Sequence, residues 1–404
     1  MTRFKGWQQI AASMVLQAVA SGSIFISYSV LAGSYQQAFQ PSRMLLMMGV
    51  SAVVLGTGIL SPLLGRAMEK TSLRHLMALG CCLLGVGFMV ASQAQSMTQL
   101  LAIYFVFMAS AAVLTGPIAG SALLARWFNK RRGLAMSLSA AGAAVGGLIA
   151  PPLLQWLIDA YTWRQALLMY GMGVLVVTVP VAWFLIINRP SDINQHPDGI
   201  AETSPQAQTS DNDLGWGFYL RDRNFWVLGI ILGVLFGSSM GITKNLMQYA
   251  GEIGIDATRG AFLLSIYSAS NFVGKLGSGV LADKLNPRAL LGGIIVVFTL
   301  AVFSFTQFTT YTLLMVACVV FGISQGGIVP LWCVIVSRLY GPERVGRSMG
   351  AMSLLLTPFN LIAAPFFGAV ADSTGSYRGA YLVAVALLVF VIFLLGLIRE
   401  RPAN

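Results

Sequence analysis

Charge is what this sequence of 404 residues has least of. Asp, Glu, Lys and Arg make up 10% of it, where a soluble domain carries about 25%. Hydrophobic residues reach 56%, and together the two values exclude a soluble globular domain and imply an integral membrane protein. Acidic residues number only 14, and all fall in loops or at the ends of apolar runs, so no paired-carboxylate centre can be assembled in the interior. The two histidines, His75 and His196, sit at a helix end and in a loop, which excludes a histidine metal site. The four cysteines, Cys81, Cys82, Cys318 and Cys333, lie in apolar runs without metal-ligand spacing and read as reduced packing residues. With no nucleophile–base pair and no phosphate-binding loop either, an enzyme is disfavoured, and neither metal nor cofactor is implied.

What is present in abundance is long apolar stretches. A spanning helix needs about 20 mainly apolar residues. Twelve such runs can be marked, at about 9–34, 44–64, 75–92, 98–124, 134–158, 165–187, 224–249, 260–282, 289–308, 312–338, 347–370 and 378–398. Arg3 and Lys5 ahead of Ile10 imitate a signal peptide, but removing that run would leave an odd helix number, so it is kept as the first span. One polar stretch, 188–222, is the only candidate linker. It divides the chain into six-helix bundles at 1–187 and 223–404.

The net charge of +11 would suit nucleic acid, but the basic residues lie in short loops between apolar runs, which is the positive-inside pattern. With the N-terminus inside, 19 of the 25 Lys and Arg residues fall on the cytoplasmic side and 4, Arg43, Arg164, Arg259 and Arg378, on the outside. Both termini and 188–222 are therefore expected in the cytoplasm. The remaining two basic residues, Lys244 and Lys275, lie within spans.

The halves repeat. Gly65, Glu69, Lys70 and Arg74 have the spacing of Gly279, Asp283, Lys284 and Arg288. Pro151 matches Pro365, and Trp163-Arg164 matches Tyr377-Arg378, always 214 positions apart. Six spans per repeat give both halves one orientation, related by an axis along the membrane normal. The stretch Gly279-Val280-Leu281-Ala282-Asp283-Lys284 with Arg288 resembles the signature loop of the major facilitator superfamily. The resemblance implies a twelve-helix all-α carrier whose two loops act as ion-paired latches of the inward gate; by composition alone they are solvated, positively charged turns.

Further motifs resemble the monocarboxylate and oxalate/formate branch of that superfamily. They are Arg126-Trp127-Phe128-Asn129-Lys130-Arg131-Arg132-Gly133, the small-residue run from Ala140 to Gly147, Pro151-Pro152, and Asn271-Phe272-Val273-Gly274-Lys275, where the branch has Asn-x-x-Gly-Arg. Lysine stands here for the branch arginine. Gly116-Pro117 lies near where many relatives carry tyrosine, and Asn360 occupies the helix in which oxalate carriers place a second cation.

Lys275 also carries meaning without reference to any family. A lysine at the centre of a spanning helix costs roughly 2.5–3.5 kcal/mol and usually faces the bundle interior or a wet cavity. Tyr267, Asn271 and Lys275 share one helix face, so Lys275 is the candidate anion ligand; the alternative is snorkelling to the interface. Lys244, near the outer end of its span, is open to both readings. Tyr28, Gln17, Gln325, Trp332 and Asn360 complete the candidate substrate site, though each alone suits an interhelical hydrogen bond. Small-residue clusters such as Gly237-Ser238-Ser239 and Ser324-Gln325-Gly326-Gly327 read as sites of close packing and bending, mobility rather than chemistry.

The expected function is secondary transport of a small carboxylate across the cytoplasmic membrane by a monomer, with protons as a candidate co-substrate and the lipid bilayer as the surroundings. An exporter of larger amphipathic compounds and a non-transporting carboxylate sensor are the rivals. The orientation is directly testable. A cysteine placed at Ser204 or Ser210 should resist an impermeant thiol reagent on intact cells and react after permeabilisation; labelling of intact cells would reverse the assignment.

Overall fold

The computed structural model describes residues 4–128, 132–199, 216–340 and 345–397, with the side chains of Pro62, Arg66, Glu69, Gly279, Val280, Asp283 and Lys284, among others, outside the description. Among the described residues it is all helical. The long helices are α1 Gly6–Phe39, α2 Arg43–Lys70, α3 Leu73–Ala91, α4 Met97–Trp127, α5 Arg132–Ala160, α6 Trp163–Leu185, α7 Arg223–Glu252, α8 Ala257–Lys284, α9 Pro287–Gln307, α10 Tyr311–Tyr340, α11 Val345–Thr374 and α12 Arg378–Leu395. Eleven are long and apolar enough to cross a membrane. The other, α8, is long enough but too polar, since it carries Ser265, Ser268, Ser270, Asn271 and Lys275.

The repeat extends to where helices begin. Arg43, Leu73 and Met97 open α2, α3 and α4, and Ala257, Pro287 and Tyr311 open α8, α9 and α10, each pair again 214 positions apart. Local chemistry sets these starts. Ser72 caps α3 through His75 N–H, and Asn286 caps α9 ahead of Pro287 in the first turn. Helix α8 runs two residues past its expected end and α2 six, so Gly279–Lys284 and Gly65–Lys70 are helical rather than loop. The breaks come only at Leu285-Asn286 and after Lys70.

Three spans depart from regular α geometry, which hydropathy does not report. α1, α4 and α6 contain π turns at Gly22–Ile26, Tyr104–Met108 and Val181–Leu185. α4 is also interrupted at Gly116, whose extended backbone precedes Pro117. A proline cannot donate a helical N–H and disfavours α geometry in the residue before it.

The chain divides into two compact units, one of Met1–Pro41, Leu45–Ser204 and Asp256–Ser265, the other of Ser42–Met44, Pro205–Ile255 and Ile266–Asn404. The break at 204–205 falls inside the expected linker. In the first unit, α1 crosses α5 so closely that a Cβ at Gly142 would stand 2.2 Å from Met14 O and one at Gly146 1.8 Å from Ala18 O. In the second, Gly229, Gly233, Gly237 and Gly241 form a stripe along α7 into which Leu355, Phe359 and Phe367 of α11 pack. Lipid tails are as apolar as leucine, so such crossings rest on van der Waals packing between small residues.

Gly146→Leu should therefore lower the unfolding midpoint of the detergent-purified protein sharply or abolish folding. Gly58→Leu, at a helical glycine with open space around it, should change it little. Equal midpoints for the two variants would contradict this account of the α1–α5 crossing.

Candidate functional site

The polar residues of α8 and α10 meet in the second unit. Asn271 Nδ2–H donates to Gln325 Oε1, and the Tyr267 hydroxyl donates to the same oxygen at 3.4 Å. The Tyr267 hydroxyl also faces Ser239 of α7. The approach that permits this is set by glycine: a Cβ at Gly322 would stand 2.6 Å from Tyr267 O, at Gly326 2.1 Å from Asn271 O, and at Gly274 2.1 Å from Ile323 O. The Ser324–Gly327 cluster thus permits close packing of α10 on α8.

Lys275 lies one turn beyond Asn271 on the same face of α8, nine residues or about 14 Å before the helix end. It is half-buried, and among the described residues no carboxylate or hydrogen-bond acceptor engages its ammonium. Trp332 lies two turns along α10 from Gln325, is 8% exposed, and its indole N–H has no hydrogen-bond partner among the described residues. Its ring stands 6.0 Å from that of Phe236 on α7. Tyr267 stacks at 5.3 Å on Phe321 of α10. Helices α7, α8 and α10 thus carry a cation, an N–H donor without a partner among the described residues, and aromatic rings, residue types suited to an anionic group carried on a small apolar body.

The other predicted ligands are placed differently. Lys244 is 4% exposed, so its ammonium is not at an open surface. Asn360 is half-buried and donates to Leu356 O of its own helix at 3.2 Å. In the first unit, Tyr28 is 1% exposed, donates to Leu46 O and packs edge-on to Tyr104 at 5.2 Å. Gln17 is 2% exposed; its amide donates to Ser139 Oγ and, at 3.4 Å, to Ser13 Oγ, and those two hydroxyls meet at 2.6 Å. That network joins α1, α4 and α5, because any Cβ at Gly120 would collide with Gln17 and Ser13. Both side chains are engaged in interhelical bonds of their own unit. Sequence reasoning missed Ser239 and Phe236; the hydroxyl in Gly237-Ser238-Ser239 was the available signal.

Of the residues expected to gate, the side chains of Glu69, Gly279, Asp283 and Lys284 lie outside the described residues, Lys70 is exposed, and Gly65 has open space around it. The two distal arginines dock within their own units. Arg74 N–H donates to Asn188 Oδ1 at 2.9 Å, and its guanidinium lies 5.3 Å from the Trp183 ring centre of α6. Arg288 donates to Gly396 O, just past α12, at 3.0 Å. Each arginine ties the start of the third helix of its half to the end of the sixth. The motif at the end of α4 does similar work: Arg126 donates to Met68 O at 2.8 Å and Trp127 Nε1–H to Ile187 O at 3.0 Å. No group of three or more metal-ligating side chains occurs among the described residues.

The family model of the Major Facilitator Superfamily matches residues 13–357 and 244–404. Monocarboxylate transporter 13 of Rattus norvegicus is 28% identical over 389 residues, covering 95% of this chain and 86% of its own length. Monocarboxylate transporter 4 of Rattus norvegicus is 28% identical over 377 residues, covering 87% and 75%. Among solved structures, a bacterial homologue of the human lysosomal transporter Spinster, inward-facing and occupied, superposes with a TM-score of 0.77 at 13% identity over 100% of both chains. The nucleoside transporter NupG does so at 0.75 and 12% identity, over 98% of this chain and 99% of its own. These last two likenesses concern the fold. With a family match over nearly its whole length and twelve long helices, the chain belongs to the major facilitator superfamily, a family of membrane transporters rather than enzymes.

Proposed function

We propose that this carrier moves a small organic anion, a mono- or dicarboxylate, by alternating access, and that Lys275 is the main ligand of the carboxylate. The observation that carries the reading is the Lys275 ammonium, placed on the polar face of α8 without an acceptor among the described residues. An ammonium in an apolar setting is costly alone, and a substrate carboxylate is the partner that offsets it. The similarity to proteins named monocarboxylate transporters supports the same substrate class. Asn271, Tyr267 and Gln325 then act by holding the α8 face in position, and the Trp332 indole supplies a further donor. The alternating motion is that of bundles 1–187 and 223–404 about the linker 188–222, with the signature segments as latches, in a cytoplasmic membrane with both termini inside.

Coupling follows from where the acids are not. Since all 14 lie in loops or at span ends, none is a ready proton relay at the midplane. The proposed modes are anion exchange, or symport in which the proton rides on the substrate or on a lysine.

Removing one partner of a buried charge pair costs about 3–5 kcal/mol, several hundredfold or more in affinity. Lys275→Gln should abolish saturable binding and vesicle flux of whichever mono-, di- or aromatic carboxylate raises the wild-type unfolding midpoint, with expression near normal. Lys275→Arg should retain part of both, since the charge remains while the geometry changes. Lys244→Gln should do less, mainly weakening substrates with two carboxylates. Wild-type flux in Lys275→Gln would return Lys275 to the snorkelling reading, and binding without flux in the wild type would favour a sensor.

A further inference from the structure

Basic side chains gather in the first unit where α4 ends and the chain leaves α6. After α6 the chain does not run off as an open linker. Arg189 N–H donates to Asp192 Oδ2 at 3.1 Å, starting a 3₁₀ turn over Pro190–Ile193. Asn194 takes the left-handed conformation at φ 56°, and Gln195 N–H donates back to Pro190 O at 3.0 Å. Lys5 N–H donates to Gln195 Oε1 at 3.0 Å, so the turn is also tied to the start of α1. Folded this way, the segment lies against the end of α4 and borders an open, solvent-facing cavity of about 410 Å³ lined by Arg126, Arg189, Ser191, Gln195, His196 and two prolines, with Arg189, Ser191 and His196 exposed.

The charges there are lopsided. Two guanidiniums and an imidazole line the cavity, while the nearby carboxylates, Asp192 and Asp198, are not in its lining, and Asp192 already accepts the Arg189 N–H. Two arginines beside one open cavity repel weakly through water, and together they attract a further anion. Guanidinium forks, a hydroxyl and a side-chain amide are the donors that match a tetrahedral oxyanion. The depth fits as well. Trp183 and Phe184, at the same end of α6, are 43% and 73% exposed on its outer face, as expected of aromatic side chains at a membrane interface where headgroup phosphates lie.

We propose that the cavity between the end of α4 and the 189–197 turn binds a phosphate group, supplied by an anionic lipid headgroup or by free phosphate. The site shares no residue with the carboxylate site.

The test uses the full chain in detergent. Native mass spectrometry with phosphatidylglycerol against phosphatidylcholine, and calorimetry with inorganic phosphate, distinguish the two sources. Arg189→Gln combined with His196→Ala should weaken retention of whichever phosphate compound binds by about tenfold or more. Ser191→Asp, which adds a carboxylate at the rim without removing a cation, should do the same. Arg221→Gln, an exposed arginine outside the cavity, should leave it unchanged. Arg126 is not the residue to vary, since it also holds Met68 O. Retention of phosphatidylglycerol lost only in the cavity variants supports the headgroup; calorimetric phosphate binding lost only in those variants supports the free ion. Equal weakening by Arg221→Gln, or no weakening by either cavity variant with the unfolding midpoint preserved, would reduce the cluster to general positive charge and overturn the proposal.

Discussion

A charge inside hydrocarbon must have its field met by something, and the second unit is arranged around that requirement. α8 is the long helix too polar to qualify as a span by hydropathy, and its polar residues are not scattered. Tyr267 and Asn271 point at one acceptor, Gln325, and so hold a fixed face whose next turn presents Lys275. The face exists because glycines at 274, 322 and 326 let two backbones approach within the reach of short side chains. Without those glycines the amide pair would separate, and each group would remain unsatisfied in a medium that offers no water. Packing and polar chemistry are in this sense one device.

The first unit shows the same logic with its interhelical donors engaged, although Gln17 Oε1, Ser27 Oγ and Gln36 Oε1 have no hydrogen-bond partner among the described residues. Gly142 and Gly146 bring α1 onto α5, Gly120 admits the Ser13–Gln17–Ser139 network, and Tyr28 spends its hydroxyl on Leu46. What sets α8 apart is an ammonium with no acceptor among the described residues, one turn from an amide and a hydroxyl held on Gln325. That cation is the physical basis for assigning the anion to α8.

The twelve spans were legible because length and apolarity alone define a membrane helix, and the repeat was legible because equal offsets need no structure to be seen. The helix starts at 43, 73 and 97 and at 257, 287 and 311 carry the same offset. The Tyr267–Asn271–Lys275 face followed from helical period. What composition hides is who pairs with whom. Gln17 and Tyr28 have the residue types of ligands, yet their partners come from α5 and α2, more than a hundred and about twenty positions away. Ser239 sat in a cluster that looked merely small. The π turns leave no hydropathic trace, and the arginines of the signature segments show their partners, Trp183 and Gly396, only once the last helix of each half is in place.

The central claim is that one charge on the protein recognises one charge on the substrate. It is tested most directly by calorimetry that crosses the two, comparing a carboxylate ligand with its primary amide on the wild type and on Lys275→Gln. The account predicts that the wild type prefers the carboxylate by several hundredfold and that this preference disappears in the variant. A preference of the same size in Lys275→Gln would mean that another group holds the carboxylate and would contradict the assignment.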